Sequence, residues 1–140
     1  MKTQEEKQLL LKDLCSRLPY GVKAEVMGWD EEKEEEVFVP VTVYSVNTDG
    51  YVYFADNDYD ITYCSIDACR LYLRPMSSMT EEERLVYEQR FHDVGRSIDV
   101  IDADDIVSHI DWLLSHHFDF RGLIHLGLAL EAPVDMYKME

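Results

Sequence analysis

A chain of 140 residues, 46% hydrophobic and 11% aromatic, has the size and composition of one folded domain. It is too short for two ordinary domains and too apolar for a disordered tail. Its 29 acidic residues against 13 basic ones give a formal net charge of -16, which argues against direct binding to nucleic-acid phosphates or an anionic membrane surface.

The first predicted element is a helix over residues 3–18. Leu9, Leu10, Leu14 and Leu18 fall close to one stripe, and Lys7, Lys12, Asp13 and Arg17 fill the other face. Pro19 stops it, because proline disfavours the helical conformation of the residue before it. Residues 22–29 alternate as a strand, with Val22, Ala24, Val26 and Gly28 on one side. The acidic run 30–36 then reads as a solvated hairpin loop.

Residues 37–46 give the clearest strand pattern. Val37, Val39, Val41 and Val43 share one face, and Phe38, Pro40, Thr42 and Tyr44 share the other. Pro40 predicts an edge position or a bulge, since it has no amide proton for the ladder. Thr48-Asp49-Gly50 is a turn signal that returns the chain into a strand over 51–55. A second turn, Asp56-Asn57-Asp58, leads into strands over 61–65 and 70–73.

Beyond Pro75 the pattern turns helical. Thr80-Glu81-Glu82-Glu83 is a capping box ahead of a helix over 81–92, with Leu85 and Phe91 on its buried side. Residues 94–100 form a connection around Gly95. A helix follows over 102–116, with Ile106, Ile110, Leu113 and Leu114 on its apolar face and His116 and His117 at its end, where they suit the helix dipole. Residues 120–125 read as one or two helical turns capped by Gly127, and 128–131 as an extended tail.

The order is one helix, a run of strands, then helices. It predicts an α+β fold: an N-terminal helix (1–19), a small antiparallel curled sheet or SH3-like partial barrel of four or five strands (20–75), and a mainly helical C-terminal part (76–140), all in one domain. No uninterrupted apolar run approaches the roughly 20 residues that span a bilayer, and the N-terminus lacks a secretory pattern. Cys15, Cys64 and Cys69 form neither an even set nor a CxxC pair, so they read as reduced small hydrophobes. The expected location is the cytoplasm.

Several stretches carry a resemblance. They are Tyr72-Leu73-Arg74-Pro75-Met76-Ser77-Ser78-Met79-Thr80 with the glutamates after it, Asp119-Phe120-Arg121-Gly122-Leu123-Ile124, and Gly127-Leu128-Ala129-Leu130. Leu9-Leu10-Leu11-Lys12-Asp13-Leu14 and Arg17-Leu18-Pro19-Tyr20-Gly21-Val22 belong with them. Together, over about half the chain, these resemble a family of short uncharacterised proteins of gut anaerobic bacteria and their phages. The resemblance implies a bacterial or phage protein of the cytoplasm. It implies no activity and no site residues.

The candidates for chemistry are sparse. Asp56, Asp58, Asp60 and Asp67 have the spacing of an EF-hand calcium loop, but Ile61 stands where the sharp turn needs glycine. Asp99, Asp102, Asp104 and Asp105 fit a helix start as well as a cation site. His109, His116 and His117 lack the close spacing of a zinc set. No catalytic residue, metal ligand or cofactor is assigned. The leading expectation is a non-enzymatic protein-binding or accessory protein, contacting another protein through Tyr44, Tyr53, Tyr72, Arg74 and Arg121. An acidic DNA mimic and a metal-dependent enzyme built on the aspartates are the alternatives. Homo-oligomerisation stays open, because residues 37–46 are apolar on both faces.

Overall fold

The computed structural model describes residues 2–55, 61–94 and 103–137. Helix α1 (Gln4–Arg17) begins in a capping box: the Thr3 hydroxyl accepts the Glu6 amide at 3.1 Å, and the Glu6 carboxylate accepts the Thr3 amide at 2.9 Å. Its buried strip is Leu10, Asp13, Leu14 and Arg17, spaced three and four apart on one face. This corrects the sequence reading, which put Asp13 and Arg17 in solvent. An acid and a base four residues apart neutralise each other on one helix face, so the pair enters the interior together.

The strands are β1 (Lys23–Asp30), β2 (Glu35–Val46), β3 (Tyr51–Ala55), β4 (Ile61–Ser65), β5 (Cys69–Leu73) and β6 (Ala129–Glu131), in the spatial order β4-β3-β2-β1-β5-β6. The acidic connection shrinks to four residues, 31–34, because β1 and β2 pair out to Asp30 and Glu35. Strand β2 serves two halves. Its start pairs with β1 and its end with β3, and a bulge lies between Val43 and Ser45. Pro40 lies opposite Glu25 in a non-hydrogen-bonded pair, since the neighbouring bonded pair is Val43 with Val22. Its nitrogen therefore points away from β1, so the β1–β2 ladder needs no amide proton there. The bulge that the proline also suggested lies further along the same strand, between Val43 and Ser45.

Only a 3₁₀ turn, Ile66–Ala68, joins β4 to β5, although four inter-strand steps separate them in the order. A flat sheet would hold those strands about 19 Å apart, and a three-residue 3₁₀ turn rises about 6 Å. The sheet therefore curls. It stays open, because no ladder joins β4 to β5 among the described residues. Two details differ from the expectation of four or five antiparallel strands. The tail forms a sixth strand, and it runs parallel to β5, with Leu71 opposite Ala129. A three-residue strand is too short to show alternation in sequence.

Inside the curl, Val22, Ala24, Val26, Val52, Leu71 and Leu73 meet Leu10 and Leu14 of α1. Each fully buried valine or leucine contributes roughly 1.5–3 kcal/mol. Lys2 and Lys7 tie α1 to the 3₁₀ turn through the Asp67 carbonyl at 2.9 Å and carboxylate at 3.1 Å.

Helix α2 (Glu81–Val94) has the predicted capping box, Thr80 hydroxyl to Glu83 amide at 3.1 Å and Thr80 amide to Glu83 carboxylate at 2.9 Å. We expect Thr80→Ala to lower the unfolding free energy by about 1 kcal/mol, read as a shift in the urea midpoint. Helix α3 (Ala103–Ser115) packs on α2 through aromatic rings, with Tyr87 against His109 at 5.2 Å and Trp112 at 6.3 Å. Leu85 and Ile106, predicted to be buried, are exposed. Among the described side chains of α2, Glu83, Tyr87 and Arg90, on the i, i+4, i+7 strip, are the less exposed ones; the Phe91 side chain lies outside the described residues. The connection predicted over 94–100 lies, past Val94, outside the described residues.

Candidate functional site

Two constellations stand out, a buried polar junction and an open aromatic face. The junction begins where α3 ends. His117 takes the left-handed conformation at φ 64; its amide bonds the Leu114 carbonyl and the Phe118 amide bonds the Leu113 carbonyl, both at 3.0 Å. That is a Schellman ending with histidine where glycine is usual. The left-handed backbone costs a non-glycine residue about 1–2 kcal/mol. Stacking of the His117 ring on Tyr137, 3.6 Å between centroids and 14° between planes, offsets it.

Tyr137 also extends the β1–β5 pairing. Its hydroxyl accepts the Lys23 amide at 2.8 Å and donates to the Tyr72 carbonyl at 2.6 Å, bridging β1 and β5 just past their last paired residues, Ala24 and Leu71. One step further, Arg74 donates its amide to the His117 carbonyl and accepts the Asp119 amide, both at 2.8 Å. The loop after α3 thus occupies the place that a longer β1 would fill. Asp119 then caps the next turn, accepting the Leu123 amide at 2.8 Å and the Ile124 amide at 2.9 Å. That stretch, expected as one or two helical turns, is a single turn closed by Gly127 at φ 76.

Charges bind the junction to α1 and α2. Asp13 and Arg17 are both 0% exposed and form two hydrogen bonds, at 2.7 and 3.1 Å. Arg121 reaches the same carboxylate at 3.0 Å, and Arg17 also donates to the Phe118 carbonyl at 2.9 Å. Arg74 forks onto Glu83 at 2.8 and 2.6 Å while its guanidinium lies 4.3 Å from the Phe118 ring centre. The hydrogen bonds from Arg74 hold the Glu83 carboxyl down at about 2. Arg74 and Arg121, two of the expected contact residues, are therefore committed to internal carboxylates.

The histidines serve packing. Burial, with Arg17 and Arg74 nearby, pushes His117 down to about 4, so it is neutral at pH 7 and gives nothing to the helix dipole. Burial also lowers His109, with Arg90 adding to the shift. His116 approaches Glu83 at 3.3 Å. Since an unfolded chain protonates histidine near 6.5 and the folded one near 4, the stability that neutral His117 contributes is complete above 6.5 and is lost as pH falls to about 4. That loss is on the order of a few kcal/mol. Unfolding titrations of the protein and His117→Gln should diverge in that window and run parallel above it.

The metal readings gain no geometry. Among the described residues, no three histidine, cysteine, aspartate or glutamate side chains converge. Asp56, Asp58, Asp60, Asp99 and Asp102 lie outside those residues. Asp67 pairs with Lys7, and Asp105 is exposed. The thiols hold a detail that spacing did not suggest. Hydrogen bonding with the neighbouring Cys69 thiol holds Cys64 down, and the same interaction with burial pushes Cys69 up. All three cysteines are free.

The aromatic face is the outer side of the curl. In β3 and β4, Tyr53 lies opposite Tyr63 and Tyr51 opposite Ser65. The Tyr63 ring meets Tyr51 edge-on at 5.6 Å and Tyr53 at 5.7 Å. The bulge in β2 brings both Tyr44 and Ser45 into the solvent layer beside Tyr53. Tyr44 is 65% exposed, Tyr63 62% and Phe38 64%. Tyr53 is half-buried, its hydroxyl accepting from the Asn47 amide group at 3.4 Å. Tyr72 faces the same outer side on β5 but stands apart, its hydroxyl donating to Glu25 at 3.2 Å. Of the five expected contact residues, Tyr44 and Tyr53 are thus brought together. Tyr51 and Tyr63 lie with them, and the strand register sets Tyr63 against Tyr51 and Tyr53.

A second exposed apolar area, an open groove of about 510 Å³, is lined by Leu85, Val86, Gln89 and Arg90 of α2. It brings no acid, base and nucleophile together. Among the described residues, no helix is long and apolar enough to cross a membrane. No family model, curated protein or solved structure matches the chain.

Proposed function

We propose that this is a non-enzymatic binding protein whose outer sheet face, Tyr44, Tyr51, Tyr53 and Tyr63, docks a basic segment of another protein. The observation that carries this reading is the tyrosine cluster, in which the Tyr63 ring meets both Tyr51 and Tyr53, and Tyr44 and Tyr63 are largely exposed. Tyrosine supplies contact area at low entropic cost, and its ring face attracts lysine and arginine. The charge of -16 steers cations toward the protein and repels anionic surfaces. The resemblance to short proteins of gut anaerobic bacteria and their phages suits an accessory protein of that origin. Free thiols, with Cys15 exposed, suit a reducing cytoplasm.

The test is a titration with a fluorescent arginine-rich peptide. Tyr44→Ala combined with Tyr63→Ala should weaken binding about tenfold or more at an unchanged melting temperature, and the matching phenylalanine variants should retain most of it. Equal affinity for the alanine variant and the parent would refute the reading.

A further inference from the structure

We propose that strand β4 is a docking edge, on which the basic segment lies extended and adds to the sheet as one more antiparallel strand. This rests on the protein-binding reading above and specifies how the partner is held. Strand β4 ends the sheet order, with β3 on its one paired side. The Ile66 amide bonds the Gly50 carbonyl at 2.9 Å, so by alternation Thr62 and Cys64 point their backbone groups at β3. Ile61, Tyr63 and Ser65 then point theirs outward. No backbone hydrogen bond occupies the outward groups of Tyr63 and Ser65 among the described residues.

Natural sheets protect such an edge with lysine, proline, an inward charge or a covering segment. The sequence of β4, Ile-Thr-Tyr-Cys-Ser, carries no charge and no proline. At five residues it is as long as its partner β3. The opposite edge is different, because β6 has three residues and ends on a glutamate. The edge left uncovered among the described residues is also the one that carries Tyr63 and adjoins Tyr51 and Tyr53.

Charge selects the occupant. The nearby lysines, Lys2 and Lys7, are both bound to Asp67, and the exposed acids Asp49, Glu31, Glu32, Glu34, Glu35 and Glu36 lie on other turns and strand starts of the same sheet. A second copy would bring another net charge of -16 to the contact, whereas a basic segment is attracted. In a paired strand, the residue directly opposite Tyr63 both exchanges hydrogen bonds with it and lies on its face. Every second residue of the partner would thus set a side chain against the tyrosines, and arginine or lysine there would meet the ring faces.

Ser65 allows the backbone to be tested apart from the tyrosines. Its φ of -68 and ψ of 150 match proline, and its amide points outward. Ser65→Pro removes that donor together with the hydroxyl that accepts the Asp67 amide at 3.2 Å; Ser65→Ala removes the hydroxyl alone. The probe is a labelled nine-residue peptide of alternating arginine and valine, followed by fluorescence anisotropy. Its control is the same peptide N-methylated on the arginines, the positions that would bond β4. Ser65→Pro should bind about tenfold more weakly than Ser65→Ala, and N-methylation should weaken binding to the parent as much.

If Tyr63→Ala loses affinity while Ser65→Pro matches Ser65→Ala and N-methylation changes nothing, strand addition is wrong and the tyrosine face stands. If Tyr63→Ala and Tyr44→Ala bind as the parent does, or the peptide does not bind, both readings fall. Sedimentation of the protein alone should show a monomer; a dimer that Ser65→Pro dissolves would assign the edge to a second copy and overturn the proposal.

Discussion

Asp13→Asn should lower the unfolding free energy by about 3–5 kcal/mol, the usual cost of leaving a buried charge without its partner. The carboxylate takes bonds from Arg17 and Arg121 and is itself 0% exposed. Asparagine keeps the shape but leaves the Arg17 guanidinium, also 0% exposed, without a counter-charge. A domain of this size is stable by about 5–15 kcal/mol, so the urea midpoint should drop by a large fraction. Replacing the pair together, Asp13→Leu with Arg17→Met, should recover much of the loss, because an apolar pair of similar volume needs no counter-charge. Arg121 is half-buried and can turn to water. A single variant as stable as the parent would mean that the pair is not sequestered.

Tyr137 gives the second large effect. Tyr137→Ala removes a ring stacked on His117 and the hydroxyl that bridges β1 and β5, and should cost about 3 kcal/mol or more. Tyr137→Phe keeps the ring and should cost about 1–2 kcal/mol, the penalty for unpairing the Lys23 amide and Tyr72 carbonyl. Burial pushes the phenol up to about 12, so its proton stays available to donate through the neutral range. Hydrogen exchange separates the two roles. The Lys23 amide should exchange faster in both variants, and the Arg74 amide, bound to the His117 carbonyl, faster in the alanine variant alone.

The contrast between these two sites and the tyrosine face shows what sequence pattern carries. Alternation placed Val22, Ala24 and Val26 on the buried side of β1, and the turn chemistry of Asp49-Gly50 placed the β2–β3 hairpin, because both signals are local. The junction was not legible. Its parts, Asp13, Arg74, Phe118 and Tyr137, are far apart in the chain, and each looks like a surface or loop residue alone. His117 misled for the same reason, since a histidine at a helix end suits the dipole until a distant tyrosine covers it. Leu85 and Ile106 misled in the opposite way. The α2–α3 contact runs through Tyr87, His109 and Trp112, and aromatic residues with polar atoms are poorly weighted in an apolar stripe. That Tyr63 meets Tyr51 and Tyr53 follows from the register of β3 on β4, which composition does not carry.

The most direct test of the basic-segment reading is an amide shift map of the protein titrated with the arginine–valine peptide. The account predicts saturable shifts centred on Tyr44, Tyr51, Tyr53 and Tyr63, with the outward amides of Tyr63 and Ser65 among the largest. Shifts confined to the Leu85, Val86 and Arg90 groove of α2, or no shifts at all, would contradict it.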